Sequence, residues 1–279
     1  MHRRSFLKQS ALFLTLVNSP TVFAATPLIT NENKYRFYDS HVKDRLVKKR
    51  RFDQSYSEDI YLDKLNLSIL NSALNRIKRT QKIVGYANFS LLNFDDAIKF
   101  AKTYSYIGAF PKKELNFLEM IFYSHVEEYG FMGEKAITII TSKVIKKRVE
   151  KIPYTGNYLY RGKPTQLYNK IKKEVGKDII LTSGVRSVMK QFLLFFNKAK
   201  KSDGNLSMAS RSLAPPGYSF HGIGDFDVGK KGYGIHNFTE RFTNTNVYKR
   251  LTDLGYIKFR YERDNNFGVR FEPWHIKVI

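Results

Sequence analysis

Apolar positions divide the chain into two textures. From Ile60 to about Ile77, the residues Leu62, Leu65, Ile69, Ala73 and Ile77 recur at steps of three and four, which places them on one face of an amphipathic helix. Gly85 predicts the end of that helix. A second helix is expected from Asn93, whose side chain can cap free amides, with Asp95 and Asp96 in a first turn where the helix dipole favours negative charge. A third is expected to begin with Pro111 at its first position and to carry Leu115, Leu118, Phe122 and Val126; a fourth is expected from Glu134 to about Glu150. After Ile152-Pro153, short apolar stretches alternate with Gly, Asn and Pro, which predicts a strand over 178–182, a helix over 187–201 and a strand over 269–279 interrupted at Pro273. The fold class read from this pattern is α+β, with a helical region over 57–152 ahead of a mixed domain over 153–279. No internal repeat is present. Residues 25–56 mix charge with turn formers, including the run Lys48-Lys49-Arg50-Arg51, and read as an extended lead-in.

The first 24 residues read as a leader. His2 to Lys8 is basic, Ala11 to Val17 is a short apolar run, and Val22-Phe23-Ala24 before Ala25 offers the small residues a signal peptidase needs. The apolar run is too short for a permanent span, so no stable membrane span is expected after the leader is removed. Arg3-Arg4-Ser5-Phe6-Leu7-Lys8 resembles a twin-arginine export signal. Export to the periplasm or cell envelope is the expectation.

Charge adds a second constraint. The 279 residues contain 48 Lys and Arg against 25 Asp and Glu, a formal charge of +23, and loss of Arg3, Arg4 and Lys8 with the leader would leave +20. Such a surface attracts polyanions, although a uniformly lysine-rich sequence also simply makes a basic, soluble surface. Cysteine is absent, which excludes disulfides, thiolate metal sites and a cysteine nucleophile; any metal must sit on His, Asp and Glu.

The candidate chemistry lies in two segments, Ser219-Phe220-His221-Gly222-Ile223-Gly224-Asp225-Phe226-Asp227-Val228 and Glu272-Pro273-Trp274-His275, which together hold two imidazoles and three carboxylates. A catalytic zinc needs three nitrogen or oxygen ligands and leaves a fourth position to water. His221, Asp227 and His275 can supply that set, with Glu272 left as the base and Asp225 as a competing ligand. Residues three apart on a regular strand face opposite sides, so bringing Glu272 and His275 to one site requires a bend at Pro273. His236 is a further candidate ligand; His41 and His125 receive no role. Ser187-Val188-Met189-Lys190 fits S-x-x-K, the nucleophile motif of penicillin-binding enzymes, but no K-T-G follows.

These segments resemble the D-alanyl-D-alanine carboxypeptidases and dipeptidases of the vancomycin-resistance type, together with phage L-alanyl-D-glutamate endolysins, whose signature is S-x-H-x-x-G-x-A-x-D followed by E-x-W-H. Ser219, His221, Gly224 and Asp227 match the first part and Glu272 to His275 the second, while Ser183-Gly184-Val185-Arg186-Ser187 and Gln191 resemble the family's S-G-[YV]-R-S…Q segment. The aspartate falls six residues after His221 where the family has seven, and Phe226 stands in place of the usual alanine. The resemblance covers residues 154–279 and implies a small antiparallel-sheet peptidase domain, a Zn2+ cofactor, Glu272 as proton carrier and Arg186 facing the oxyanion. It also implies substrate-side roles for Arg186, Gln191, Ser219 and Trp274. The implied partner is the peptidoglycan stem peptide, with no nucleic acid expected. Release of terminal D-alanine is the favoured reaction; a D,D- or L,D-endopeptidase with the same zinc site and a non-enzymatic basic wall-binding protein are the alternatives.

Overall fold

The computed structural model describes residues 44–278 apart from 257 and 259, so the leader over 1–24 and the first part of the lead-in lie outside the described residues. Inside the expected lead-in, residues 44–50 form a helix (α1). Helix α2, Lys64–Val84, starts where Asp63 accepts a hydrogen bond from the amide of Asn66 at 2.7 Å and stops at Gly85, whose φ of 88° suits a residue without a side chain. Its buried stripe is Leu70, Ala73, Leu74 and Ile77; Leu65, expected on the same face, is 71% exposed because it lies well round the helix from that stripe. Asn93 caps α3, Phe94–Thr103, through a 2.9 Å bond from the amide of Asp96. Pro111 sits at the cap of α4, Lys112–Tyr123, one place earlier than expected, and Val126 falls in a separate 3-10 turn, Val126–Tyr129.

The helix expected over 134–150 does not form. Residues 134–145 are irregular, and strand β1, Val149–Ile152, follows and pairs antiparallel with β2, Asn157–Tyr160. The run Thr138-Ile139-Ile140-Thr141 is β-branched and a poor helix former, and the amide of Ile137 is taken by the carbonyl of Gly217 at 2.8 Å.

Helix α5, Lys163–Val175, leads into β3, Ile179–Ser183, which pairs with β4, Phe226–Lys230, and β4 with β5, His275–Ile276, giving an antiparallel three-stranded sheet of order β3-β4-β5. Between β3 and β4 come α6, Val188–Lys201, capped by Ser187, and α7, Leu206–Ser212; α8 is Asn246–Asp253. The strand expected over 269–279 shrinks to two residues. Pro273 has no amide to give to a ladder, the chain turns over 273–274, and the amide of Val278 goes to Asp225 rather than to a strand.

Two main hydrophobic clusters fill the molecule. One lies under the small sheet and includes Tyr168, Leu181, Phe226, Val228, Trp274 and Ile276. The other joins α2, α3 and α4 to α6: Phe117 packs on Phe196 at 5.6 Å between ring centres, and Phe122 on Phe192 at 6.4 Å. The helical region therefore shares a core with α6, and the N-terminal end of α6 supports the segment that carries Arg186. The described residues belong to one compact unit. Among them, no helix is long and apolar enough to cross a membrane.

Candidate metal centre

Side chains alternate across a strand, so the sheet sorts its residues by face. Phe226, Val228 and Ile276 point into the apolar cluster, while Asp227 and His275 point the other way as directly opposed partners of β4 and β5. Oδ1 of Asp227 lies 3.2 Å from Nδ1 of His275. A 3-10 turn, Phe220–Gly222, brings in His221, whose Nε2 lies 3.1 Å from the same oxygen. Gly224, at φ 145°, lets the chain pass from that turn into β4. His221, Asp227 and His275 are all buried, and one ligand atom from each lies within 4.8 Å of the others.

Both imidazoles are held from behind. Nδ1 of His221 donates to the carbonyl of Gly184 at 2.9 Å, and Nε2 of His275 donates to Oδ2 of Asp225 at 3.0 Å; these partners fix the ring orientations and turn Nε2 of His221 and Nδ1 of His275 toward the cluster. Gly184 is required at its place because a Cβ there would come within 2.0 Å of the carbonyl oxygen of Tyr158. Asp225 also accepts from Nε of Arg260 at 2.7 Å and from the amide of Val278 at 2.8 Å, so its carboxylate is fully engaged behind His275. His236 lies in a 3-10 turn, Gly234–Phe238, and does not join the cluster.

The cleft in front of the cluster is lined by Arg186, Gln191, Ser219, Tyr261, Glu272 and His275, among others. The turn at Pro273 does what the spacing required: Oε2 of Glu272 comes within 3.8 Å of Nδ1 of His275. Arg186 donates from Nη2 to Oδ2 of Asp227 at 2.5 Å and from Nε to the hydroxyl of Ser183 at 2.9 Å. Gln191 uses both ends of its amide on backbone, donating to the carbonyl of Arg186 and accepting from the amide of Gly217, so from the wall of the cleft it braces Arg186. Trp274, expected on the substrate side, is 3% exposed, lies edge-on to Phe238 in the apolar cluster and does not line the cleft. Its place follows from strand alternation: His275 faces the site, so its neighbour faces the core. Ser187, the nucleophile of the S-x-x-K alternative, is buried and serves as the cap of α6.

The electrostatics separate the groups. Burial opposes ionisation of Asp227, but His221 and Arg186 outweigh it and hold its carboxyl well below the usual range. Burial, aided by Arg186, lowers His221 to about 4; for His275 the hydrogen bonds to Asp225 and Asp227 outweigh burial and raise it to about 9. Burial lifts Glu272 to about 7, against the opposing pull of His275 and Arg270. A carboxyl poised near neutrality beside a low-lying carboxylate is a division of labour suited to proton transfer.

Two imidazole nitrogens and a carboxylate oxygen, converging with their remaining ring nitrogens tied back, form a donor set that suits zinc, with Glu272 and Arg186 on the open side. Asp225, a competing ligand by sequence, stands behind His275 instead, and Tyr261 lies edge-on to His275 at 5.1 Å between ring centres. No motif marks Tyr261, so its place emerges only from the fold.

Residues 162–279 match the model of the VanY D-alanyl-D-alanine carboxypeptidase family. Comparison with curated proteins gives no match. Among solved structures, the chain is similar to the LdcB LD-carboxypeptidase, with 23% identity and a TM-score of 0.38 over 46% of this chain and 62% of that one. It is similar also to the vancomycin-resistance D,D-pentapeptidase VanY of a VanB-type cassette, in complex with Zn(II), with 23% identity and a TM-score of 0.38 over 47% of this chain and 77% of that one. The chain thus spans less than two thirds of the LD-carboxypeptidase. The motif segments and the family match fall on one stretch of sequence, residues 162–279.

Proposed function

We propose that this protein is a zinc-dependent peptidoglycan peptidase that acts outside the cytoplasmic membrane and removes the terminal D-alanine from stem peptides ending in D-Ala-D-Ala. The observation that carries the reading is the convergence of His221 Nε2, His275 Nδ1 and Asp227 on one buried point facing a cleft that holds Glu272 and Arg186. A zinc ion bound there supplies Lewis acidity and brings the pKa of a bound water to about 7. Glu272 takes the proton of the attacking water and passes it to the leaving amine, a task that matches its pKa of about 7. Arg186, steadied by Ser183 and by Gln191 behind it, presents a guanidinium to the negative charge that develops on the scissile carbonyl. Asp225 holds the Nε2 proton of His275, which keeps Nδ1 free to bind metal.

Mass spectrometry of peptidoglycan digested with the purified protein tests the reading. The expected product is free D-alanine with the stems shortened by one residue. Fragments cut inside a stem or cross-link would assign endopeptidase activity instead, and no change in any muropeptide by zinc-loaded protein would overturn the enzymatic reading.

A further inference from the structure

Beside the chain segment that carries Glu272 lies a second cavity, of about 340 Å3, whose lining includes Lys49, Phe52, Glu240, Arg263, Asp264 and Arg270. Its charges do not balance. Glu240 is paired with Arg263 at 2.7 Å, and Asp264 with Arg50 at 3.7 Å. That leaves Lys49 and Arg270 without a carboxylate in contact among the described residues. Lys49 is 3% exposed, and its ammonium donates to the carbonyl of Asn265 at 2.8 Å. Arg270 is held between the rings of Phe52 and Trp274, 4.6 and 4.9 Å from their centres, and its Nε is buried with no hydrogen-bond partner among the described residues. Glu272, Asp227, Asp53 and Glu240 act on Arg270, and Asp264 on Lys49, only across a distance.

Taking a cation out of water costs several kcal/mol unless an anion in contact or a full set of hydrogen bonds compensates, and here two cations share one cavity with no carboxylate in contact among the described residues and an incomplete set of hydrogen bonds. A guanidinium fixed between aromatic rings is pre-set to donate in its plane to a carboxylate. The cavity exceeds many times the roughly 30 Å3 share of one liquid water, so it has room for an acidic side chain. Arg270 precedes Glu272 by two residues, which limits their Cα separation to about 7 Å.

We propose that Lys49 and Arg270 form a carboxylate-binding subsite that takes an acidic group of the same peptide whose bond is cut in front of Glu272. The proposal rests on the peptidase reading for its substrate, and deepens it: an acidic stem is selected over an amidated one. Lys49 comes from the segment before α2 and Arg270 from the segment before β5, so the subsite joins the N-terminal part of the described chain to the catalytic residues.

The test uses two synthetic stem pentapeptides ending in D-Ala-D-Ala, one with its internal carboxylates free and one with them amidated. Their affinities are measured by calorimetry on full-length, zinc-loaded Glu272→Gln protein, which avoids turnover, and again with Lys49→Met or Arg270→Gln added. The free acid should bind at least about tenfold more tightly than the amide, the difference expected of a charge-assisted hydrogen bond, and either added substitution should abolish that preference. Zinc content, measured on each variant, separates loss of the subsite from collapse of the centre. Equal affinities, or a preference that persists in both variants, overturns the proposal. Glutarate is titrated in parallel: saturable binding that depends on Lys49 and Arg270, together with equal peptide affinities, would make the cavity a site for free anions and also overturn the peptide assignment. Failure of the wild-type protein to hydrolyse either peptide would remove the peptidase reading alone, because the affinity difference is read without turnover.

Discussion

Asp225 and Asp227 take opposite sides of one imidazole: Asp225 accepts from Nε2 of His275 at 3.0 Å, while Asp227 lies 3.2 Å from Nδ1. Alternation along β4 would put residues two apart on the same face, but Asp225 precedes the strand, and the preceding turn carries it behind the ring. The two carboxylates should therefore separate in a metal assay. Asp227→Asn is expected to lose most bound zinc, whereas Asp225→Asn should weaken affinity by about 10- to 100-fold, as for other groups that orient a ligand. Zinc titration against a competing chelator measures both, and the reverse order would move the ligand to 225.

Gly184 links backbone packing to the centre. A methyl group at 184 would meet the carbonyl of Tyr158 at 2.0 Å, so Gly184→Ala must displace the peptide whose carbonyl holds Nδ1 of His221. Lower zinc affinity and a lower melting temperature should appear together. An alanine variant with unchanged zinc affinity would show that His221 does not need this anchor.

The helical region should melt with the catalytic residues. Glu114 is fully buried and accepts from Arg76 Nε at 2.7 Å and from Ser72 at 2.5 Å, tying α4 to α2, which shares its core with α6. Glu114→Ala leaves the Arg76 guanidinium without its carboxylate, with only the carbonyls of Ile107 and Gly108 as acceptors, and should cost about 3–5 kcal/mol. Denaturant unfolding followed by far-UV dichroism and by the fluorescence of Trp274 should give coincident transitions, both shifted. Loss of the helical signal alone would mean two separate folding units.

Much of this was legible in the sequence because it depends on local rules. Asn93 caps the helix expected to start there, the helix expected over 187–201 forms as Val188–Lys201, Gly85 ends another, and the two motif segments contain all the members of the metal cluster. What escaped depends on tertiary context. The segment 134–145 has helix-like apolar spacing, yet its backbone bonds across to Gly217. Trp274 is adjacent to a site residue but faces the core, and the cations of the second cavity come from segments some 220 residues apart, a pairing that no local pattern signals.

Glu272 offers the sharpest separation of base from ligand. Its carboxyl lies in the cleft, 3.8 Å from Nδ1 of His275, and burial lifts its pKa from an ordinary 4.5 to about 7. A general base works only when ionised, so the rate should be low below pH 7, rise about tenfold per pH unit, and level off above it. Glu272→Gln preserves shape and hydrogen-bonding reach but removes basicity, so zinc should stay bound while turnover on a D-Ala-D-Ala stem falls by about 10² to 10⁴. Arg186→Ala should also keep its zinc, since the guanidinium touches Asp227 from outside the donor set, and should lose rate by about 10² to 10³ with its acid limb still in place. Zinc content and pH–rate profiles measured on the three proteins decide between the roles. Loss of metal in Glu272→Gln would make the carboxylate a ligand, and wild-type turnover in that variant would remove it from the reaction.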